Sequence, residues 1–188
     1  MFPLHRSDLP NGLSLLRLVL APVLLALAVG GLAKAFLVTL VVAFATDAAD
    51  GFLARRFGAV SERGARLDSR ADLATWLVLP PAFWLLQPDL LAAEIAWIGL
   101  AGAGLLSASV VAFLRFGRIP SYHTWGAKLA AVSLAGALVA VLLGAPAWPL
   151  QFATVVAFVS QLEEVAITAI LPRPRCDVPS VWHAARLR

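Results

Sequence analysis

Residues 12–55 read GLSLLRLVLAPVLLALAVGGLAKAFLVTLVVAFATDAADGFLAR, two apolar stretches parted by Gly30-Gly31. A helix crosses the hydrocarbon core of a bilayer with about 20 mostly apolar residues, each rising about 1.5 Å. The two stretches, at about 12–30 and 32–55, are each the length of one span. Working outward, four more follow at about 68–87, 90–116, 124–144 and 148–171. Their breaks carry helix-stopping residues: Gln87-Pro88-Asp89, Gly117 to Pro120, Gly144-Ala145-Pro146 and Pro172. The expected fold is an all-α integral membrane protein, a six-transmembrane-helix bundle formed as a single domain over residues 1–188.

Composition supports that reading. Of 188 residues, 61% are hydrophobic and 14% charged, whereas a soluble domain carries about 25% charge. Disorder is excluded by the apolar content, and a disulfide scaffold by the presence of one cysteine, Cys176. The net charge of +4 is explained by topology. With the N-terminus in the cytoplasm, every Lys and Arg except Lys34 falls on the cytoplasmic side: Arg6, Arg17, Arg55, Arg56, Arg63, Arg66, Arg70, Arg115, Arg118, Lys128, Arg173, Arg175, Arg186 and Arg188. Both termini are then cytoplasmic, and the chain is a multi-pass protein of the cell inner membrane. Its basic residues face lipid headgroups, with no nucleic-acid partner. Arg17 interrupts the first apolar run, which reads as a span and not as a cleaved signal. Residues 1–11 are expected at the headgroup interface. The cytoplasmic tail 172–188, with Val178, Val181, Trp182 and Leu187 among basic residues, is expected to be an interfacial anchor.

Acidic residues are costly beside a bilayer core, and each needs a partner or a task. Residues 47–72 read DAADGFLARRFGAVSERGARLDSRAD, with Asp47, Asp50, Gly51, Ala54, Arg55, Gly64, Asp68 and Asp72 at spacing D-x2-D-G-x2-A-R-x8-G-x3-D-x3-D. On a helix, residues three and four apart share a face. Asp47, Asp50 and Ala54 therefore line one face of the second stretch, and Gly64, Asp68 and Asp72 one face of the third. Two antiparallel helices can turn these faces toward each other. Four converging carboxylates need compensating cations, and hard oxygen ligands favour Mg²⁺, Mn²⁺ or Ca²⁺. A metal pair held so would bind a diphosphate. Gly51 and Ala54 leave room for a large ligand, and Arg55 can neutralise a phosphate.

This spacing resembles the signature of the CDP-alcohol phosphatidyltransferase family at all eight fixed positions. Asn11, Ser14, Arg17 and Pro22 in NGLSLLRLVLAP are similar to the family's first helix. The resemblance implies six spans, a homodimer, and two Mg²⁺ or Mn²⁺ ions in an active site facing the cytoplasm. It also implies transfer of a phosphatidyl group from CDP-diacylglycerol to an alcohol, with release of CMP. Carried over by position, Asp47, Asp50, Asp68 and Asp72 would bind metal. Asp72 would also be the catalytic base. Asp47, Gly51, Ala54, Arg55 and Gly64 would line the nucleotide site.

The acceptor alcohol is left open. The break LRFGRIPSYHTWGAK supplies Arg115, Arg118, His123 and Lys128 as candidates to hold an acceptor phosphate, as in glycerol 3-phosphate or inositol phosphate. Serine or a lipid hydroxyl are the alternatives. Members making phosphatidylglycerophosphate resemble G-K-x-K-T in this region, whereas this chain reads Trp125-Gly126-Ala127-Lys128-Leu129. Two other classes compete: a metal-dependent enzyme resembling intramembrane prenyltransferases, and a cation transporter. The first usually has two separated aspartate-rich segments, and the second would be supported by inverted repeats, absent from this sequence. Glu163 and Glu164 are expected to pair with an arginine, and Gly99, Gly102 and Gly104 to permit close helix packing. Cys176 and His183 have no partner spacing.

Overall fold

In the computed structural model the described residues are 8–56 and 62–187, with side chains excepted at 8–10, 51–56, 62, 63, 65, 66 and 69. The expected interfacial segment 1–11 lies largely outside them. The described residues are helical, without strands. They form α1 (Asp8–Val29), α2 (Ala33–Arg56), α3 (Glu62–Leu86), α4 (Pro88–Ala93), α5 (Ile95–Phe116), α6 (Trp125–Leu142), α7 (Trp148–Ile170) and α8 (Val181–Ala185). The chain divides into two compact units, residues 1–91 and 92–188.

In the first unit α1 packs against both α2 and α3. The reason is a stripe at helical spacing. Ser14, Arg17, Ala21, Leu24 and Ala28 are all buried, and steps of three and four keep them on one side of α1. Phe36, Leu40, Ala43 and Asp50 continue the pattern on α2, and Ala71, Thr75, Leu79 and Ala82 on α3. Phe36 meets Phe83 edge to face at 5.9 Å between ring centroids, a favoured aromatic geometry. Each stripe is apolar over most of its length and becomes polar at one end, where Ser14, Arg17 and Asp50 are buried.

In the second unit α7 is central, packing against α5, α6 and α8. Its buried face, Leu150, Ala153, Ala157, Ser160 and Ile167, meets small residues: Gly104, Ala108 and Ala112 on α5, Ala130 and Ala137 on α6. Gly104 lies where an added Cβ would come within 3.0 Å of the Phe158 ring, while Gly99 and Gly102 face open space. The close-packing role expected of three glycines belongs to Gly104.

Four helical stretches among the described residues are long and apolar enough to cross a bilayer: Asn11–Val29, Ile95–Phe116, Trp125–Leu142 and Trp148–Ile170. Helices α2 and α3 have the length, 24 and 25 residues, but carry the charges of the acidic segment. Their uncharged outer faces are apolar, with Val38, Val41, Val42, Leu73, Leu77 and Trp84 exposed. Two boundaries differ from the sequence reading. The third helix starts at Glu62, and the stretch expected at 90–116 is two helices, because the chain breaks before Ile95. Glu94 at that break is buried and accepts from Gln151 Nε2 at 2.9 Å.

The tail also departs from a purely interfacial anchor. Leu171, Val178 and Ala184 are buried with Tyr122 and Ile167 in one cluster. The backbone N–H of Asp177 donates to Ser121 O, and that of Trp125 to Pro179 O. Val178 thus faces inward and Val181 packs against the cluster, while Trp182, 77% exposed, and Leu187 face outward. The tail folds back on the 117–124 turn because that turn offers free backbone groups and an apolar floor.

Candidate metal and nucleotide site

The polar ends of the three stripes in the first unit meet. Arg17, on α1, is 2% exposed, and its guanidinium reaches all four carboxylates of the acidic pattern. Nη1 donates to Asp47 Oδ1 and Asp72 Oδ1. Nη2 donates to Asp50 Oδ2 at 2.7 Å and to Asp68 Oδ1. Each terminal nitrogen thus ties one carboxylate of α2 to one of α3. Ser14, one turn before Arg17, donates to Asp50 Oδ2 at 3.1 Å. Asp50 is the buried member of the four, 5% exposed, while the side chains of Asp47, Asp68 and Asp72 are 50%, 43% and 44% exposed. One carboxylate is therefore anchored inside, and three open outward.

Four carboxylates around one guanidinium leave three negative charges in excess when all are ionised. Like charges this close require cations or protons. Carboxylate oxygens of Asp47, Asp50 and Asp68 lie within 4.8 Å of one another, a hard oxygen donor set suited to Mg²⁺ or Mn²⁺. Both the donor chemistry and the charge excess fit a divalent metal.

Of the nucleotide-site candidates, Gly51, Ala54 and Arg55 continue α2 directly beyond Asp50, with side chains outside the described ones, and Gly64 stands in the first turn of α3. The acceptor candidates belong to the second unit and do not gather into one cluster. Arg115 donates to Leu171 O at 3.2 Å and lies over the Phe116 ring. His123 shares a hydrogen bond of 3.0 Å with Ser121 Oγ, in a backbone with φ of 53°. The Lys128 ammonium sits 4.7 Å from the centroid of Trp125. Arg118 is exposed and forms no ion pair among the described residues.

Two residues take parts that the sequence reading missed. Arg17 was legible only as a basic residue and as part of a helix similar to the family's first. The signal available was a charge inside an apolar stretch, in a chain with four acids short of a partner. Glu163, expected to pair with an arginine, instead accepts from the backbone N–H of Val181 at 3.1 Å. Gly126 makes that approach possible, since an added Cβ would lie 3.0 Å from Glu163 Oε2. Outside the helices, burial pushes the Tyr122 phenol above its usual value. Its hydroxyl shares a 2.8 Å hydrogen bond with Thr168.

Comparison with known proteins found no match among curated proteins and none among solved structures. A family model described as CDP-alcohol phosphatidyltransferase matches residues 7–169, most of the chain. That family implies a membrane-embedded transferase of phospholipid biosynthesis, metal-dependent in general and acting on CDP-alcohols, in keeping with the apolar helices and the acidic cluster. With helices α1 to α6 wholly inside the matched region and α7 all but its last residue, the chain belongs to the CDP-alcohol phosphatidyltransferase family.

Proposed function

We propose that the protein transfers a phosphatidyl group from CDP-diacylglycerol to the hydroxyl of an alcohol, with CMP as the leaving product. The observation that carries this is the meeting of four carboxylates from α2 and α3 with three negative charges in excess. Asp47, Asp50, Asp68 and Asp72 would hold two Mg²⁺ or Mn²⁺ ions, which when bound neutralise the diphosphate and improve CMP as a leaving group.

Asp50, buried and held by Ser14 and Arg17, fixes the inner wall of the site. Asp72 is half-exposed, so a carboxylate oxygen can meet an acceptor hydroxyl and take its proton. The acceptor oxygen then bonds to the phosphorus that bears diacylglycerol, and the bond from that phosphorus to the bridging diphosphate oxygen breaks. Gly51, Ala54, Arg55 and Gly64 line the cytidine and diphosphate side with Asp47. Arg115, Arg118, His123 and Lys128 are assigned to a phosphorylated acceptor, glycerol 3-phosphate or inositol phosphate. Of these, Arg118 leads, because the other three have local partners.

We infer that residues 1–188 form one catalytic domain of six spans, with α2 and α3 counted among the membrane-crossing helices. Their exposed Val, Leu and Trp faces support this. Both termini and the site face the cytoplasm, from the inner membrane, in a homodimer with surrounding lipids. The test is CMP release by purified protein from CDP-diacylglycerol with Mn²⁺ or Mg²⁺, against a panel of phosphorylated and unphosphorylated alcohols. Acceptor-dependent CMP from the wild type and none from Asp72→Asn is expected. No CMP from folded protein that also fails to bind CDP-diacylglycerol rejects the reading.

A further inference from the structure

We propose that Arg17 is an exchangeable counter-cation. In the metal-free protein its guanidinium holds the four carboxylates together. Divalent metal displaces it, and the freed guanidinium then pairs with the diphosphate of the nucleotide. This rests on the reading of the carboxylates as a metal site. Three observations carry it. Arg17 sits on the buried stripe of α1, 2% exposed, and is aimed at the carboxylates from a third helix. Its two terminal NH₂ groups are saturated by four acceptors, while the buried Nε has no partner. The position therefore favours the charge at the tip over full satisfaction of the side chain, which suits a group that holds anions and not one that only packs.

The charges fix the direction of the exchange. Arginine stays protonated, so its single positive charge cannot be dismissed by losing a proton. Two divalent ions match four carboxylates in full, and Arg17 then becomes surplus positive charge in a buried place. An unpaired buried cation is strongly disfavoured. A diphosphate offers the paired oxygens that a guanidinium fork recognises. Metal and nucleotide binding should therefore be coupled through this one side chain.

The experiment uses the full chain in detergent, with Mn²⁺ binding read by the paramagnetic resonance of free Mn²⁺ and CDP binding by calorimetry at saturating Mn²⁺. In Arg17→Gln, Mn²⁺ should bind about tenfold more tightly, because no cation has to leave, and CDP about tenfold more weakly, because its partner is gone. Arg17→Lys, which keeps the charge without the fork, should shift both in the same directions by less. A merely structural Arg17 would weaken both ligands together or change neither, and either result overturns the proposal. In the wild type, ¹⁵N signals of the Arg17 guanidinium should move on adding Mg²⁺ and move again with CDP. Signals unmoved by bound Mg²⁺ also overturn it, even if no variant folds. Wild-type protein that binds no Mn²⁺ instead removes the metal-site reading on which the proposal stands.

Discussion

The polar ends of the two units differ in how their charges are matched. In the first, four carboxylates share one guanidinium and three negative charges are left over. In the second, three polar contacts are made one to one: Glu163 with the Val181 N–H, Tyr122 with Thr168, Arg115 with the Leu171 carbonyl. A matched pair buried at a helix end contributes about 1 kcal/mol and fixes a loop. A surplus works against folding and persists where a ligand completes it. The contrast separates chemistry from architecture, and each unit should answer substitution in its own way.

The largest effect is expected at Asp72. Asp72→Asn removes the proposed base, and turnover should fall by about 10² to 10⁴, measured as CMP release. The same change lowers the negative excess from three to two, so the melting temperature of the metal-free protein should hold or rise. A variant that loses activity by melting would break the contrast. Next come the ligand positions. Asp50→Asn and Asp68→Asn should weaken Mn²⁺-dependent CDP binding by about tenfold or more, with Asp50 the more damaging because it is the buried member of the four and is oriented by Ser14. Chelating the metal should abolish CDP binding in the wild type.

The register of the carboxylates was legible in the sequence because it is local. Steps of three and four residues determine a shared helical face whatever the tertiary fold. The first, fifth, sixth and seventh helices were legible for a similar reason, as length and apolar content are properties of a short window. Arg17 was not, since its four partners lie 30 to 55 residues away in the chain. The break before Ile95 was hidden in a continuous apolar run, where the buried Glu94 finds Gln151 across 57 positions. Hydropathy made the tail's apolar residues look interfacial. Whether Val178 turns toward lipid or toward Tyr122 depends on how α7 presents its end, which no local pattern states.

Arg118 tests the border between the two regimes. Among the four acceptor candidates it is the exposed one for which no hydrogen bond, ion pair or ring contact is found among the described residues. Arg118→Ala should raise KM for a phosphorylated acceptor by about tenfold, the loss of one charge-assisted hydrogen bond, and leave KM for CDP-diacylglycerol and the melting temperature unchanged. An equal rise for an unphosphorylated alcohol would remove its assignment to a phosphate.

The smallest effect is expected at Tyr122, where the reasoning reverses that for Asp72. Its phenol is 2% exposed, and its oxygen shares a hydrogen bond with Thr168, 1% exposed, under the docked tail. Tyr122→Phe keeps the ring within the cluster of Ile167, Leu171, Val178 and Ala184 and removes only the hydroxyl. The Thr168 hydroxyl then loses its partner in a buried place, a cost of about 1 to 2 kcal/mol. The variant should melt a few degrees lower, and the tail should be cut faster by protease, because the Asp177 and Trp125 backbone bonds that hold it depend on the same turn. Turnover and Mn²⁺ affinity should stay at wild-type values, since nothing in this cluster carries surplus charge. A Tyr122→Phe protein as stable as the wild type but slower in CMP release would assign this end of the molecule to chemistry, and the division between surplus and matched charge would fail there.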